Sequence, residues 1–257
     1  MELLAGTSGY AYAGWKGSFY PDTLAVRDML GFYAGKLPAV EINNTFYRLP
    51  RASVLEGWAA QVPDDFRFAI KASRRITHFK RLVDAQDETA FLLESCGALG
   101  PKLGAVFFQL PPNLPLELER LTNFLKLLPE GTPAAFELRH PSWHTPEIDA
   151  LLAARGCARV AADTDEDEAP ASLPGAGSWG YLRLRRSAYD RAALAGWAQR
   201  IAAQDWRRAL VFFKHEDAGL GPALAAQFLE ISGRAQDRKP AAARAPARDR
   251  ARARKKG

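Results

Sequence analysis

The regular alternation of two kinds of segment constrains the fold of this chain more than any other feature. Short runs rich in Val, Ile, Phe and Tyr, typical of buried strands, alternate with longer segments whose apolar residues recur at helical spacing. A strand, a helix and then another strand require parallel pairing through a right-handed crossover. The pattern predicts eight strands, at 3–9, 39–47, 66–73, 103–110, 134–140, 158–163, 179–186 and 208–215.

The segments between these strands predict helices near 25–36, 52–61, 84–99, 115–128, 146–155, 189–204 and 219–232. The connection 164–178 shows no helical pattern. Eight is the number at which a sheet of this kind closes on itself, and such barrels commonly use about 250 residues as one unit. We therefore predict an α/β fold, a single (β/α)8 barrel of the TIM type over residues 1–233.

The alternative is an open, doubly wound parallel sheet. That fold would be expected to carry a glycine-rich phosphate loop after its first strand. Gly6 and Gly9 do not have the required spacing, and the glycines of 175–180 precede a strand instead of following one. The sequence therefore favours the barrel.

The charge of the chain is concentrated at its C-terminus. The formal net charge is +6, but residues 234–257 alone contain ten Lys or Arg and two Asp. The remainder carries 25 basic and 27 acidic residues and is nearly neutral. A segment this rich in Ala and Arg, with almost no large apolar side chains, buries too little surface to fold, so we predict a disordered basic tail over 234–257.

Cysteine usage and hydropathy predict a cytoplasmic protein. Cys96 and Cys157 lie in or beside apolar stretches, without the spacing of a zinc site or a disulfide framework. The N-terminal residues lack a basic region followed by a long apolar run, and no window approaches 18 uncharged apolar residues. We expect no membrane association.

Charged residues occur where parallel barrel strands should be apolar. Val40 and Ile42 alternate with Glu41 and Asn43, and Lys71 lies opposite its apolar neighbours in the third strand. Because side chains alternate between the two faces of a strand, this polar set is predicted to point into the barrel. The same reasoning adds Gln109, Glu137, Arg139, Asp163, Arg183, Arg185 and either Lys214 or His215.

This inward polar set has two possible roles. It forms either a network of ion pairs that fills the barrel or a working site, since buried charge without a partner costs several kcal/mol. The polar residues concentrate toward the C-terminal ends of the strands, where the active sites of TIM barrels lie. A structural network has no reason to prefer that end, so we favour a functional site.

Five motifs in the first half of the chain resemble the YecE-like family, which is classed as a domain of unknown function. They are GTSGYAYAGWKGSFYP at 6–21, EINNTFYRLP at 41–50, FRFAIKASRRITH at 66–78, FFQLPPN at 107–113 and FELRHPSW at 136–143. The resemblance continues more loosely through YLRLRR and VFFKHED, and the basic tail lies outside it. It implies a TIM barrel, and it carries no established activity.

The inward cations predict an anionic substrate. Arg139, Arg183 and Arg185 offer fork-shaped donors for a carboxylate or a phosphate. We assign Lys71, Glu41, Glu137 and His140 as candidate catalytic acids, bases or nucleophiles. The candidate substrate-binding residues are Tyr10, Asn43, Tyr47, Gln109, Arg139, Trp143, Asp163, Arg183, Arg185, Lys214 and His215.

Some of these assignments have alternatives. The aromatic residues either form a pocket wall or anchor loops to the barrel rim. The four histidines form no motif typical of a metal site, so we predict no metal or other cofactor. A single Mg²⁺ held by Glu41, Glu137 and Asp163 is the alternative that the adjacent cations disfavour.

Two functions follow from these observations. The first is a metal-independent enzyme that acts on a small phosphate- or carboxylate-bearing molecule. The alternative is a nucleic-acid-associated protein tethered by residues 234–257, with the inward charges forming a structural network. We rank the enzyme first because a basic tail would leave the inward polar set unexplained.

If the tail tethers the protein to nucleic acid, removal of residues 234–257 should abolish binding to duplex DNA. Each phosphate contact should lower log K by about 0.9 per unit of log salt concentration, because bound counterions are released. Titration of labelled duplex at several salt concentrations measures both quantities. Unchanged binding by the truncated protein would refute the tether.

Overall fold

A computed structural model describes residues 1–214 and 218–234. Its eight strands pair in chain order, all parallel, and β8 pairs with β1 to close the barrel. This confirms the predicted (β/α)8 architecture. The strands are β1 (Glu2–Ser8), β2 (Ala39–Ile42), β3 (Arg67–Lys71), β4 (Leu103–Gln109), β5 (Ala134–Glu137), β6 (Ala158–Asp163), β7 (Trp179–Leu184) and β8 (Arg208–Phe213).

Helices follow the strands at the predicted places. The connection between β6 and β7 contains no helix in the structure, as its pattern indicated. The helix after β1 begins with a 3-10 turn at Val26–Asp28, which shortens its α-helical part. The α-helices are α1 (Met29–Ala34), α2 (Ala52–Ala59), α3 (Gln86–Gly97), α4 (Leu118–Leu125), α5 (Pro146–Ala154), α6 (Arg191–Ala202) and α7 (Leu220–Ile231).

The strands bury two separate apolar layers. The larger core lies between strands and helices, and includes Phe108, Phe136 and Phe213. A smaller core fills the barrel axis, where Phe107, Tyr181 and Phe212 pack together. Because apolar side chains fill the axis at these levels, the inward residues that are polar lie nearer the C-terminal ends of the strands.

Two strands end at least three residues before the bounds that the sequence pattern predicted. β2 ends at Ile42 and is followed by a 3-10 turn at Asn44–Phe46, and β5 ends at Glu137. Polar residues after these strand ends therefore lie in loops over the barrel mouth. Loops of this kind carry the functional residues of TIM barrels.

The barrel opens between β5 and β6 at its C-terminal end. These strands pair only at Ala135 with Ala158 and at Phe136 with Arg159, whereas β7 and β8 pair at six positions. Beyond Phe136 the two strands separate, and a cavity of about 570 Å³ lies in the resulting split. This volume falls within the range of about 300–1,000 Å³ that is common for small-molecule sites.

Parts of the sequence-based predictions lie outside the described residues. His215 and nearly all of the predicted tail 234–257 belong to this group. Arg234 is described, and its backbone N–H donates to the carbonyl of Leu229 just after α7. No helix among the described residues is long and apolar enough to span a membrane.

Replacing Gly6 with Ala should destabilise the barrel. A Cβ at this position would lie 1.8 Å from the carbonyl oxygen of Ala39 in the neighbouring strand, and backbone cannot move aside as a flexible side chain does. We expect a loss of about 1–3 kcal/mol in the free energy of unfolding, measured by urea denaturation. Gly196→Ala is the matched control, since its Cβ would meet no atom within 4 Å and it lies inside α6. Equal urea midpoints for Gly6→Ala and wild type would contradict this close strand contact.

Candidate functional site

A single guanidinium joins two buried carboxylates at the top of the barrel axis. Arg183 Nη1 donates to Glu137 Oε2 at 2.7 Å, and Arg183 Nη2 donates to Glu41 Oε1 at 3.0 Å. All three side chains are almost fully buried. Their strands place them there, because each residue occupies an inward position at the C-terminal end of β2, β5 or β7. The predicted inward orientation of these three residues is confirmed.

Glu41 accepts hydrogen bonds from neighbours on both sides. Ser8 Oγ donates to Oε1 at 2.7 Å, Asn43 Nδ2 donates to Oε1 at 2.8 Å, and the Tyr181 hydroxyl donates to Oε2 at 2.6 Å. Burial acts to raise the pKa of this carboxyl, but the Arg183 charge and these donors outweigh it and hold the pKa below its usual value. Glu41 is therefore ionised near neutral pH, which makes it an anchor for Arg183 and disfavours a general-acid role.

A chain of hydrogen bonds continues from Glu137 across the barrel mouth. Gln109 Nε2 donates to Glu137 Oε1 at 2.8 Å, and Lys71 Nζ donates to Gln109 Oε1 at 2.8 Å. Burial also acts to raise the pKa of Glu137, but Arg183 and Gln109 hold it below its usual value. The inward positions predicted for Lys71 and Gln109 are confirmed. The amide of Gln109 thus separates the ammonium of Lys71 from the nearest part of the ion-pair network.

Lys71 occupies a largely apolar environment. Its Nζ lies 4.5 Å from the centre of the Phe46 ring and 5.7 Å from that of Phe107, and the residue is only 9% exposed. Within residues 1–214 and 218–234 it forms no ion pair with a carboxylate. Burial lowers the pKa of the Lys71 ammonium to about 8, and the Arg183 charge acts in the same direction. A substantial neutral fraction of this amine is thus present slightly above neutral pH.

Two further arginines lie at the cavity in the β5–β6 split. Arg139 and Arg185 line it together with Glu137, and Arg139 Nε is 3.8 Å from Glu137 Oε1. The buried Nε of Arg185 has no hydrogen-bond partner, and burial followed by the Arg183 charge lowers the pKa of Arg185. The group at the mouth has four cations, counting Lys71 and Arg183, against two carboxylates, while Glu166, Asp167 and Glu168 also line the cavity. Arg139 and Arg185 are the cations of this group at the cavity that suit a bound anion.

The predicted inward orientation of Asp163 is wrong. The inward residues of β6 are Ala158 and Val160, so alternation directs Asp163 toward the helix layer. There it accepts a hydrogen bond from the Tyr189 hydroxyl at 2.7 Å and pairs with Arg186 Nε at 3.0 Å. The three carboxylates considered for Mg²⁺ therefore do not meet.

Trp143 and His140 do not join the charged group. Trp143 is fully buried, with its indole N–H bonded to the carbonyl of Leu114, so it anchors a loop and is not a pocket wall. His140 Nδ1 lies 2.8 Å from Ser142 Oγ and caps the turn after β5. The role of His140 as a proton shuttle stays a prediction without a contact to Glu137 or Lys71 in the described part of the chain.

The other predicted binding residues lie around the mouth. Tyr10 lines a separate cavity of about 240 Å³ next to Asn43, and Tyr47 is exposed with the Arg74 guanidinium 5.3 Å above its ring. Lys214 is exposed just after β8 and occupies the same side as the inward residue Phe212. Alternation therefore assigns the inward position to Lys214. The sequence alone had not decided between Lys214 and His215.

Four members of the site were not selected from the sequence. Tyr181 and Ser8 are the direct partners of Glu41, and the inward alternation of β1 and β7 carried the signal for both. Phe46 covers Lys71, and His78 packs edge-on against Phe46 with 4.9 Å between ring centres. Burial lowers the pKa of His78, with a further contribution from Lys71. His78 follows β3 in a π-helical turn, which no sequence pattern indicated.

The residues described by the structure contain no group of three or more His, Cys, Asp or Glu arranged to hold a metal ion. Both cysteines are buried, and burial raises the pKa of each thiol to about 12. Neither thiol belongs to the charged group at the mouth.

The family profile described as "Protein of unknown function DUF72" matches residues 4–249. The chain belongs to the DUF72 family. The match confirms the resemblance seen in the motifs, and it reaches into the segment 234–257 that the motif comparison had placed outside the family.

Curated relatives of this DUF72 chain are also named without an activity. It is 37% identical over 112 residues to the UPF0759 protein YecE of Escherichia coli K12, covering 43% of this chain and 41% of YecE. It is 31% identical over 143 residues to the UPF0759 protein YunF of Bacillus subtilis, covering 52% of this chain and 51% of YunF. The alignments thus span about half of each relative or less.

Solved DUF72 structures have the same fold. The crystal structure of a DUF72 protein from Enterococcus faecalis superposes with a TM-score of 0.74 at 19% identity, over 90% of this chain and 95% of that one. A DUF72 protein from Thermotoga maritima gives a TM-score of 0.73 at 22% identity, over 90% and 99% of the two chains. At these identities the likeness shows the fold alone.

Replacing Arg183 with Met should strongly destabilise the protein, because it leaves Glu41 and Glu137 buried without their shared cation. We expect a loss of about 3–5 kcal/mol near pH 7.5. The pKa of each carboxyl is lowered in the wild type, so its stabilising contribution is present above its ordinary value of 4.5 and is lost as pH falls. In the variant, burial without Arg183 should raise both pKa values, so protonation relieves the penalty as pH falls.

The stability gap between wild type and Arg183→Met should therefore narrow from pH 7.5 toward pH 5, as measured by urea unfolding. The triple variant Arg183→Met, Glu41→Gln and Glu137→Gln is the control, since removal of both charges should restore part of the stability at pH 7.5. A gap that is independent of pH, or a triple variant no more stable than the single one, would contradict the shared ion pair.

Proposed function

We propose that this protein is an enzyme that binds a small phosphate- or carboxylate-bearing substrate at the C-terminal mouth of the barrel and uses the Lys71 amine as a base or nucleophile. The observation that carries the proposal is the environment of Lys71: an amine that is buried against two aromatic rings, has a pKa lowered to about 8, and lies beside a cluster with surplus positive charge. Amines with such lowered pKa values serve as bases and Schiff-base nucleophiles.

The anion-binding part of the proposal rests on Arg139 and Arg185. Both line the 570 Å³ cavity, which also reaches Glu137. From Glu137 the hydrogen-bonded amide of Gln109 leads to Lys71. A substrate held by its anionic group at the two arginines would extend its reacting part across Glu137 and Gln109 toward the Lys71 amine.

The buried ion pairs have a positioning role in this proposal. Arg183 fixes Glu137, which fixes Gln109, and Gln109 in turn holds the Lys71 Nζ. Hydrogen-bonded support of this kind keeps a reacting group in one orientation. His78 would exchange a proton at the barrel mouth, because burial and the charge of Lys71 keep the pKa of its imidazole below the usual value.

Glyoxylate with cyanoborohydride tests the proposal directly. The amine condenses with the aldehyde and releases water, and cyanoborohydride then delivers hydride to the imine carbon to leave a stable secondary amine. Near pH 8 about half of Lys71 is neutral, so we expect it to be modified about tenfold faster than the exposed Lys126, with a rate that rises from pH 7 to pH 9. Peptide mass spectrometry of the full chain identifies the modified residue.

The double variant Arg139→Gln and Arg185→Gln should lower Lys71 modification about tenfold, because it removes the donors for the glyoxylate carboxylate. Arg207→Gln is the matched control, since this exposed arginine lies next to the N-terminal end of β8, at the opposite end of the barrel. Modification of Lys71 that is slower than that of Lys126, or that is unaffected by loss of both arginines, would refute the proposal.

A further inference from the structure

The β5–β6 split directs the backbone of two residues toward a neighbouring strand with which they are not paired. The Glu137 carbonyl accepts from the N–H of Leu110 on the β4 side, so alternation turns the backbone of Leu138 toward β6. Likewise, the Asp163 carbonyl accepts from the N–H of Arg185 on the β7 side, which turns the backbone of Ala162 toward β5. Both Leu138 and Ala162 line the cavity, beyond the last paired positions of their strands. The ladder that would join these strands is replaced by a space that a polar ligand can fill.

One wall of this space is cationic. Arg139 and Arg185 line it, and the buried Nε of Arg185 lacks a hydrogen-bond partner. His144, which also lines the cavity, holds its Nε2 at 2.8 Å from the Leu138 carbonyl, so this nitrogen is the donor and carries the proton. Arg139 and Arg185 are therefore placed to donate hydrogen bonds to an anion in the cavity.

The same cavity is also lined by acidic residues from the connection between β6 and β7. Glu166 and Glu168 line the cavity, and neither forms an ion pair within the described residues. The loop that carries them is held in place by Arg186, whose Nη2 donates to the carbonyls of Asp167 and Ala169 at 3.0 Å each. The backbone N–H of Ser187 adds a hydrogen bond to the Asp165 carboxylate at 2.9 Å.

This attachment holds the loop at the cavity, where Glu166 and Glu168 form no ion pair with Arg139 or Arg185 in the described part of the chain. The cavity therefore presents both groups that can bind an anion and groups that can bind a cation.

We propose that the cavity in the β5–β6 split takes a zwitterionic substrate. Its anionic group binds Arg139 and Arg185, as in the proposed function, on which this inference rests. Its ammonium group binds Glu166 and Glu168, which line the same cavity. The acidic loop thus selects, among small anions, those that also carry a cationic amine.

Two pairs of probes that differ only by an ammonium group test this selection. They are butyrate with 4-aminobutyrate, and ethyl phosphate with O-phosphoethanolamine. Isothermal titration calorimetry of the full chain at low ionic strength should give a dissociation constant about two- to fivefold lower for the zwitterion of each pair, which is the range expected of exposed ion pairs. In the double variant Glu166→Gln and Glu168→Gln this preference should disappear while the simple anion binds as before.

The matched control is Glu119→Gln with Glu130→Gln, which removes two exposed carboxylates elsewhere on the surface and should keep the preference. Equal binding of the members of each pair to the wild type would overturn the inference and leave the anion site intact. A preference that survives in the Glu166 and Glu168 double variant would also overturn it. If none of the four probes binds the wild type, the anion site of the proposed function fails with it.

Discussion

The structure at the barrel mouth depends on one guanidinium shared by two carboxylates. Glu41 and Glu137 come from strands on different sides of the barrel, and each would be strongly disfavoured as an ion without a cation at contact distance. Arg183 reaches both, at 3.0 and 2.7 Å, because it stands at the same height on β7. Below this level the barrel axis is filled with apolar side chains that include Phe107, Tyr181 and Phe212, and both carboxylates are almost fully buried. The side-chain order of the whole mouth therefore follows from this contact.

The shared ion pair also explains why the remaining cations differ from Arg183. Arg183 is neutralised by the two carboxylates, whereas Lys71 is balanced by an amide oxygen and two aromatic rings. Arg139 has only a 3.8 Å contact with a carboxylate that already binds Arg183, and Arg185 has a buried nitrogen without a partner. A closed structural network would pair its charges, so the weak pairing of Arg139 and Arg185 distinguishes this group from a purely structural one.

Much of this arrangement could be predicted from the sequence because two simple periods carry it. The repeat of strand and helix gave the barrel, and alternation within strands placed Glu41, Lys71, Glu137 and Arg183 on the axis. The predicted orientation of Asp163 was wrong although it came from the same rule. The inward residues of β6 are Ala158 and Val160, and these small side chains give no sequence signal for which face of the strand points inward. Trp143 was misassigned because its indole N–H finds its partner, the Leu114 carbonyl, 29 residues away in the chain. Contacts of this kind depend on how loops fold over the rim, and no local pattern encodes them.

The split between β5 and β6 is likewise encoded by no local sequence pattern, and it links the fold to the proposed chemistry. A fully paired parallel sheet would bond the backbone of Leu138 to β6 and close the space now lined by Arg139 and Arg185. The separation of the strands instead leaves the backbone of Leu138 directed at the cavity, where His144 Nε2 lies 2.8 Å from its carbonyl oxygen. The buried Nε of Arg185 at the same cavity has no hydrogen-bond partner, and a buried polar group requires one. In the proposed function an anionic ligand in the cavity supplies that partner, which links the split to the proposed site.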